Sequence, residues 1–352
     1  MSVTTHERPG VYSEYDASSV VQGRQGRKMV GMAAIHATAP AGVPQTVTSY
    51  EGALIAFGST GGQDMTELIR LALKNGAAGV VAVPVADEEG YEAAFAALAA
   101  MDDIGVVICD SVDREVQQSL RDSAAAASAA RRERIAVAAG GAGETVTELL
   151  ERAKALNSER VVLVAPGGTD EEGEAVSGLS LAAAVAGAIA GTTDPALPLG
   201  GAVLSGLYGL ETTYGDNDLD LLIRGGVTPA ERTGGVTSVV RGVTTRTTTD
   251  GTADTTWREL STILVVDDVI PGIRSALRSK FHRAKNTEQS RGAIRSQVIV
   301  ELEKKVAEEI IDSYGEVTVT TSEDDPTVCL VEFSFAVAHG LNQIYLTVHI
   351  TV

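Results

Sequence analysis

Two periods of hydrophobic residues divide the chain. Through its middle, short runs rich in Val, Ile and Ala alternate with longer stretches of helical spacing: GVVAVPV at 79–85, IGVVICD at 104–110, RIAVAAG at 134–140 and VVLVAPG at 161–167. Runs this short, apolar on both faces and bounded by Gly, Pro or Asp, predict parallel strands buried from both sides. Between them, spacings of three and four predict helices over 65–75, 91–100, 114–132 and 145–156. Gly76 supplies a stop for the first, and Thr145 with Glu148 forms a capping box at the start of the last. The alternation predicts a layered α/β domain with a mostly parallel sheet.

The pattern changes near Gly234, where two extended runs begin that meet at Asp250-Gly251, a strong hairpin signal. A helical region follows over about 271–313, in which Ile299, Leu302, Val306 and Ile310 recur at helical spacing, with Gly315 as its stop. EVTVTT (316–321) and TVCLVEFSFAVA (327–338) then read as strands separated by the acidic turn SEDDP, so the last third is expected to be α+β. The closing stretch, GLNQIYLTVHITV, alternates without a fault: Ile344, Leu346, Val348, Ile350 and Val352 on one face, Tyr345, Thr347, His349 and Thr351 on the other. Period two makes it a strand. No turn, charge or proline blunts its row of backbone donors and acceptors, which must be paired somewhere. The expected organisation is an N-terminal arm over 1–22, an α/β domain over 23–233, an α+β domain over 234–338 and a C-terminal arm over 339–352. The softest joint is GTTDPALPLGG (191–201), with two prolines.

Composition narrows the function classes. With 28 Lys and Arg against 47 Asp and Glu in 352 residues, the formal charge of −19 opposes direct binding of nucleic acid or anionic lipid, which needs many cations facing phosphate. Aromatic residues make up 4% of the chain, too few for base-stacking platforms. The apolar stretch GLSLAAAVAGAIAG (178–191) falls short of the roughly 20 residues a spanning helix needs, so a tightly packed buried helix is expected and no membrane insertion. The N-terminus lacks the basic and apolar regions of a secretory signal, which points to a protein made and kept in a cytoplasm. Cys109 and Cys329 lie in separate apolar runs and read as buried free thiols.

Catalytic and metal chemistry find little support. AAGGAGET (138–145) sits where a phosphate-binding turn would, but Val146 holds the position of the third glycine and no Gly-Lys-Ser/Thr follows. GDNDLDLL (215–222) begins like a calcium loop, yet Leu221 stands where the turn glycine belongs; acidic residues in the first turn of a helix ending at Gly225 are the simpler account. The five histidines share no ligand spacing, and no nucleophile elbow is present. No catalytic residue, metal ligand or cofactor is therefore expected. One stretch departs from the acidic background: Arg274, Arg278, Lys280, Arg283, Lys285, Arg291 and Arg295 face a single acid, Glu288, between 271 and 295. A solvated helix face would account for it, and so would a surface steered onto an acidic partner.

The start of the chain behaves like its end. RPGVYSEYD (8–16), carrying Val11, Tyr12 and Tyr15, is a turn followed by an extended run that belongs to neither folded block. Two such ends suit β-augmentation between copies, and if donor and acceptor patches differ the contact propagates as a ring or helix. At this point the chain resembles the contractile tail sheath proteins of bacteriophages and phage-tail-like bacteriocins, through ERPGVYSEY, RTGGVTSVVRGVTTRT, SKFHRAKNTEQSRGAIRSQVIVELE and AHGLNQIYLTVHITV. The resemblance implies that both arms hook into adjacent subunits, that 23–233 faces outward and that 234–338 lies inward on the tail tube. It implies sixfold rings that contract from a metastable lattice, and contacts with tube, baseplate and tail terminator proteins. It also implies that Lys280, Arg283, Lys285 and Arg291 face an acidic tube, and that the protein belongs to a virion or tail-like particle assembled in a bacterial host. The rival expectation is a cytoplasmic α/β enzyme holding a nucleotide or phosphorylated ligand at the Gly140 to Thr145 turn.

Overall fold

A computed structural model describes residues 28–350. Val11, Tyr12, Tyr15 and Val352 lie outside the described residues. The main sheet is built from β1 (Met29–Ile35), β2 (Gln45–Val47), β3 (Val80–Val85), β4 (Ile104–Cys109), β5 (Ile135–Ala139) and β6 (Val161–Ala165). After the short β7 (Gly168–Thr169) and β8 (Ala175–Val176), it takes in β9 (Val203–Leu204) and, past β10 (Gly209–Leu210), β11 (Val227–Thr233) and β12 (Val236–Val239). The order is β2-β3-β1-β4-β5-β6-β11-β12-β9, while β10-β7-β8 form a small separate sheet. β3, β1, β4, β5, β6 and β11 run parallel, and β2, β12 and β9 add antiparallel edges.

Alternation along each parallel strand feeds two cores. Val106 and Ile108 of β4 join Val162 and Val164 of β6 on one face, under α1 (Tyr50–Phe57), α2 (Met65–Lys74) and α6 (Leu179–Gly191). Val107 and Cys109 join Leu163 and Ala165 on the other, under α3 (Tyr91–Ala99), α4 (Arg114–Ala129), α5 (Val146–Leu156) and α7 (Asp216–Arg224). Each strand is therefore buried on both sides, which is why its sequence reads as an unbroken apolar run. The capping box forms as expected: Thr145 Oγ1 accepts from Glu148 N–H, and Glu148 Oε2 accepts from Thr145 N–H at 2.8 Å.

The Ala-rich stretch is the buried helix α6, which presses against α2. A Cβ at Gly187 would lie 2.3 Å from the Ala72 carbonyl oxygen, and one at Gly191 would lie 2.8 Å from Gly76 Cα. Alanine is the better helix former by about 1 kcal/mol, but rigid backbone blocks it here. Gly187→Ala is expected to lower stability by about 1–3 kcal/mol, read as a fall in the urea midpoint; an unchanged or higher midpoint contradicts this packing.

Beyond β12 lie the hairpin β13 (Thr248–Thr249) and β14 (Thr252–Ala253), α8 (Leu260–Phe281), α9 (Glu288–Ala307), and the strands β15 (Ile311–Tyr314), β16 (Thr318–Thr321), β17 (Cys329–Glu332) and β18 (Phe335–Val337). The hairpin turns at Asp250-Gly251, both at positive φ. Three expectations are corrected. The change of pattern at Gly234 falls at the tip of the β11–β12 hairpin of the main sheet, so it divides no core. The core changes within α8, where Leu260 and Ile263 pack under the sheet while Val265, Val269 and Ile273 join α9 and the last strands. Second, α8 begins before Pro271 and carries it internally. Third, the helical region does not run to Ser313: α9 ends at Ala307, with Glu309 at φ 59°. The N–H groups of Glu309 and Ile310 close the end on the Val306 and Lys305 carbonyls. This is a Schellman cap, built with Glu where glycine is usual.

Two ion pairs moor α8 to the amino ends of the parallel strands. Arg160, just before β6, pairs with Asp267, and Glu133, just before β5, pairs with Arg274 at 2.9 Å. The Asp267 side chain is 2% exposed and that of Arg160 12%. Burial raises the Asp267 carboxyl above the usual carboxylate range, and Arg160 draws it back. Asp267→Ala strands a guanidinium in the joint and is expected to cost about 3–5 kcal/mol in urea unfolding, while Arg160→Leu with Asp267→Leu recovers most of that.

Candidate functional site

The crevice where an open α/β sheet would take a ligand lies at the carboxyl ends of β1 and β4, between strands whose connections run in opposite directions. Here the chain fills it with its own groups. Asp110, just past β4, accepts from Tyr91 O–H and, at 2.8 Å, from Ile35 N–H. Burial raises the Asp110 carboxyl, and burial followed by the Asp110 charge raises the Tyr91 phenol. Beside it, buried Gln117 donates to the Ala139 carbonyl at 2.8 Å, and Arg152 donates to Val112 O at 2.7 Å and Gln117 Oε1 at 3.1 Å while pairing with Glu144. The donors a ligand would need are already engaged.

The Gly140 to Thr145 turn is equally unsuited to an anion. Glu148 already accepts from the Thr145 N–H at the start of α5, and Glu144 lies in the turn itself. Glu211 comes within 3.7 Å of the place a Gly143 side chain would begin. Burial, then the carboxylates of Glu211, Asp218 and Glu144, push the Tyr214 phenol up to about 12. A phosphate entering here would meet three carboxylates in place of a free helix N-terminus. The acidic run at 215–222 forms α7, with Asp216 and Asp218 in its first turn and Gly225 at its end. Among the described residues, no group of three or more His, Cys, Asp or Glu is placed to hold a metal ion.

The surface features are of another kind. The helices α8 and α9 form an antiparallel hairpin whose tip, 278–291, carries Arg278, Lys280, Arg283, Lys285 and Arg291, none in an ion pair with an acid of the described residues; Arg274 and Arg295 are paired, with Glu133 and Glu316. Lys280, Arg283 and Lys285 are exposed, whereas Arg291 is half-buried. Lys280 donates to Gln297 Oε1 across the hairpin at 2.6 Å. Arg291 donates to Asn286 Oδ1 at 3.1 Å, and Asn286 Nδ2 donates to the Pro326 carbonyl at 2.7 Å. Asn286 thus fastens the basic tip beside the acidic turn of 322–326. Sequence reasoning missed it, since one amide between two helical stretches gives no periodic signal.

Below the hairpin, β15 pairs with β18 and β16 with β17, two separate antiparallel ladders in which the outer edge of every strand is open among the described residues. Two-stranded ladders are marginal by themselves and gain from further strands. The segment read as the final strand follows. Its last backbone tie to the rest of the chain is Ala338 N–H to the Ile310 carbonyl at 3.3 Å. Among the described residues, 341–350 form no strand, and Ile344, Leu346, Val348 and Ile350 are 79, 85, 65 and 83% exposed. A row of apolar side chains is thus displayed on backbone that pairs with no strand among the described residues.

Comparison with known proteins gives these surfaces a setting. Residues 85–245 match the family model for the phage tail sheath protein central domain, and residues 252–351 that for the phage tail sheath C-terminal domain. A tail sheath protein of Bacillus phage SP01 is 29% identical over 219 residues, 60% of this chain and 37% of that protein, so the match spans little more than a third of the relative's length. A chain of the anti-feeding prophage baseplate, 6-fold symmetrised, superposes with a TM-score of 0.76 at 18% identity, over 99% of this chain and 100% of that one. A chain of the anti-feeding prophage helical sheath in contracted state gives 0.73 at 18% identity, over 98% and 99%. At such identities the two structures establish a common fold.

Proposed function

This chain belongs to the phage tail sheath family, and we propose on that premise that it polymerises through its arms as stacked six-subunit rings around a tail tube, forming the sheath of a contractile phage tail or tail-like particle. The observation that carries this reading is the exposed apolar segment 341–350, which pairs with no strand among the described residues. The open edges of the β15–β18 and β16–β17 ladders in a neighbouring copy are the acceptors: main-chain bonds supply the grip, and the alternation of Ile344, Leu346, Val348 and Ile350 sets the register. The N-terminal arm, with Val11, Tyr12 and Tyr15, acts as a second hook.

Contraction is then a mechanical step. Subunits reorient as near-rigid bodies from a metastable extended lattice to a shorter, wider one that buries more contact, and the arms keep neighbours attached while the bodies slide. No nucleotide is consumed, and the free-energy drop drives the tube through a bacterial envelope. The basic tip of α8 and α9 faces an acidic tube, and the end rings meet baseplate and terminator proteins. Negative-stain microscopy of the protein assembled with its tube tests this: tubes of two diameters are expected, narrow before a trigger and wide after it. A discrete small oligomer, or one diameter under all conditions, would overturn the contractile reading.

A further inference from the structure

Between β18 and the arm, the chain passes a contact that no strand or ion pair explains. A Cβ built on Gly340 would lie 2.7, 2.7 and 2.9 Å from the Cδ, Cγ and Cβ of Pro198. The φ of Gly340 lies outside the left-handed region, so glycine serves here for its missing side chain and not for its backbone freedom. The obstacle is a proline ring, which has no flexible end to swing aside. Pro198 belongs to the two-proline segment of 191–201, whose neighbouring residues touch two cores: Ala196 packs with α8, α9 and the last strands, and Leu199 packs under the main sheet. This segment is therefore the rigid joint between the two units, and the arm leaves by lying flat against it.

The next residues continue the path. Asn342 and Gln343 form one wall of a cavity of about 240 Å³, whose other wall is the outward face of α7 (Asp216, Leu219, Asp220, Ile223) with Arg241. The last backbone bond of the preceding strand region joins Ala338 to Ile310, in the inner unit. Four residues on from Ala338 the chain has crossed to the outer one, so the arm is rooted in both.

We propose that Gly340 seated on the Pro198 ring is the guide that fixes the direction in which the C-terminal arm leaves the protomer, and so decides whether its strand reaches the acceptor ladder of the next copy in register. This deepens the sheath reading and rests on it. Gly340 is a positioning residue: it touches no partner itself and acts by aiming 341–352. A side chain there lifts the root off the proline, and a small angular error at the root is magnified along the arm.

The test compares full-length Gly340→Ala, Gly340→Val, Pro198→Ala and the double variant Gly340→Ala with Pro198→Ala, alongside a chain ending at Gly340. Each is followed by thermal melting of the dilute protomer and by sedimentation and microscopy of the polymer. Gly340→Ala is expected to raise the concentration needed for polymerisation by about tenfold, the scale on which displacing a rigid contact acts, and Gly340→Val by more. The melting temperature of the protomer stays unchanged. The double variant, lacking the two nearest ring carbons, recovers much of the loss. Polymerisation of the single variants at the parental concentration overturns the proposal, as does a double variant with no recovery or a lowered protomer melting temperature. If the chain ending at Gly340 itself polymerises, the arm reading fails and the guide falls with it. If that chain is inert while Gly340→Val assembles normally, only the guide is wrong.

Discussion

A chain ending at Gly340 is expected to fold and melt like the full-length protein and to form no tubes. Among the described residues, 341–350 take part in no strand pairing and their apolar side chains stand in solvent, so their loss leaves the three cores intact. In the proposed assembly the same residues would gain twice, because their backbone groups would find ladder partners and alternate side chains would be buried. Burying Ile344, Leu346, Val348 and Ile350 is worth on the order of 6–12 kcal/mol before costs. Ordering ten residues costs roughly 1–2 kcal/mol each, more than this burial supplies by itself, so the backbone hydrogen bonds of the ladder are needed to bring the balance to the favourable side. A surplus of even about 3 kcal/mol per arm changes the concentration needed for polymerisation by roughly a hundredfold. Sedimentation velocity and microscopy on the truncated chain give the answer, and ordered tubes from it would show that the arm is dispensable.

The parallel strands β3 to β6 were legible because two-sided burial writes an unbroken apolar run, and the capping box at Thr145 because a cap needs particular side chains at a fixed spacing; the parallel strand β11, with Pro229 inside it and a polar end, was not. Nor was the central strand β1. Its MVGMAAI offers neither alternation nor β-branched density, since Gly31 is packed so closely that a Cβ there would meet Ile104 at 3.1 Å and Leu98 at 3.2 Å. The start of α8 was hidden for a related reason: Leu260, Ile263, Val265 and Val269 serve two different cores, so the helix has no single apolar stripe. β15 was read as helix because its IDSY is mostly exposed and the stop before it is a glutamate at positive φ. The alternation of the terminal segment reads as a strand, yet residues 341–350 form none among the described residues, so its strand pairing belongs to the proposed assembly. The acceptor proposed for it was not legible, because open edges are a property of pairing among β15 to β18 that no local pattern records. The Gly340 contact lay hidden for the same kind of reason: a glycine announces that something comes close, and only the fold says that it is Pro198.

Reversing the tip with Lys280→Glu, Arg283→Glu and Lys285→Glu is expected to leave the protomer and its arm-driven polymer intact while abolishing assembly on an acidic tube. All three side chains are exposed, and among the described residues Gln297 is the one side-chain partner any of them holds, so the fold loses little. Arg291 is left in place because it braces Asn286, which ties the loop to Pro326. Like charges brought together at an interface cost several kcal/mol, so co-assembly should fall by about a hundredfold or more at low salt. The dependence on ionic strength then separates steering from packing. Screening shortens the reach of exposed charges to about 8 Å at physiological salt, so added salt should weaken co-assembly of the parent chain and relieve the repulsion in the variant, bringing the two curves together. A triple variant that coats the tube as readily as the parent at every salt concentration would mean that the basic tip faces something other than the tube.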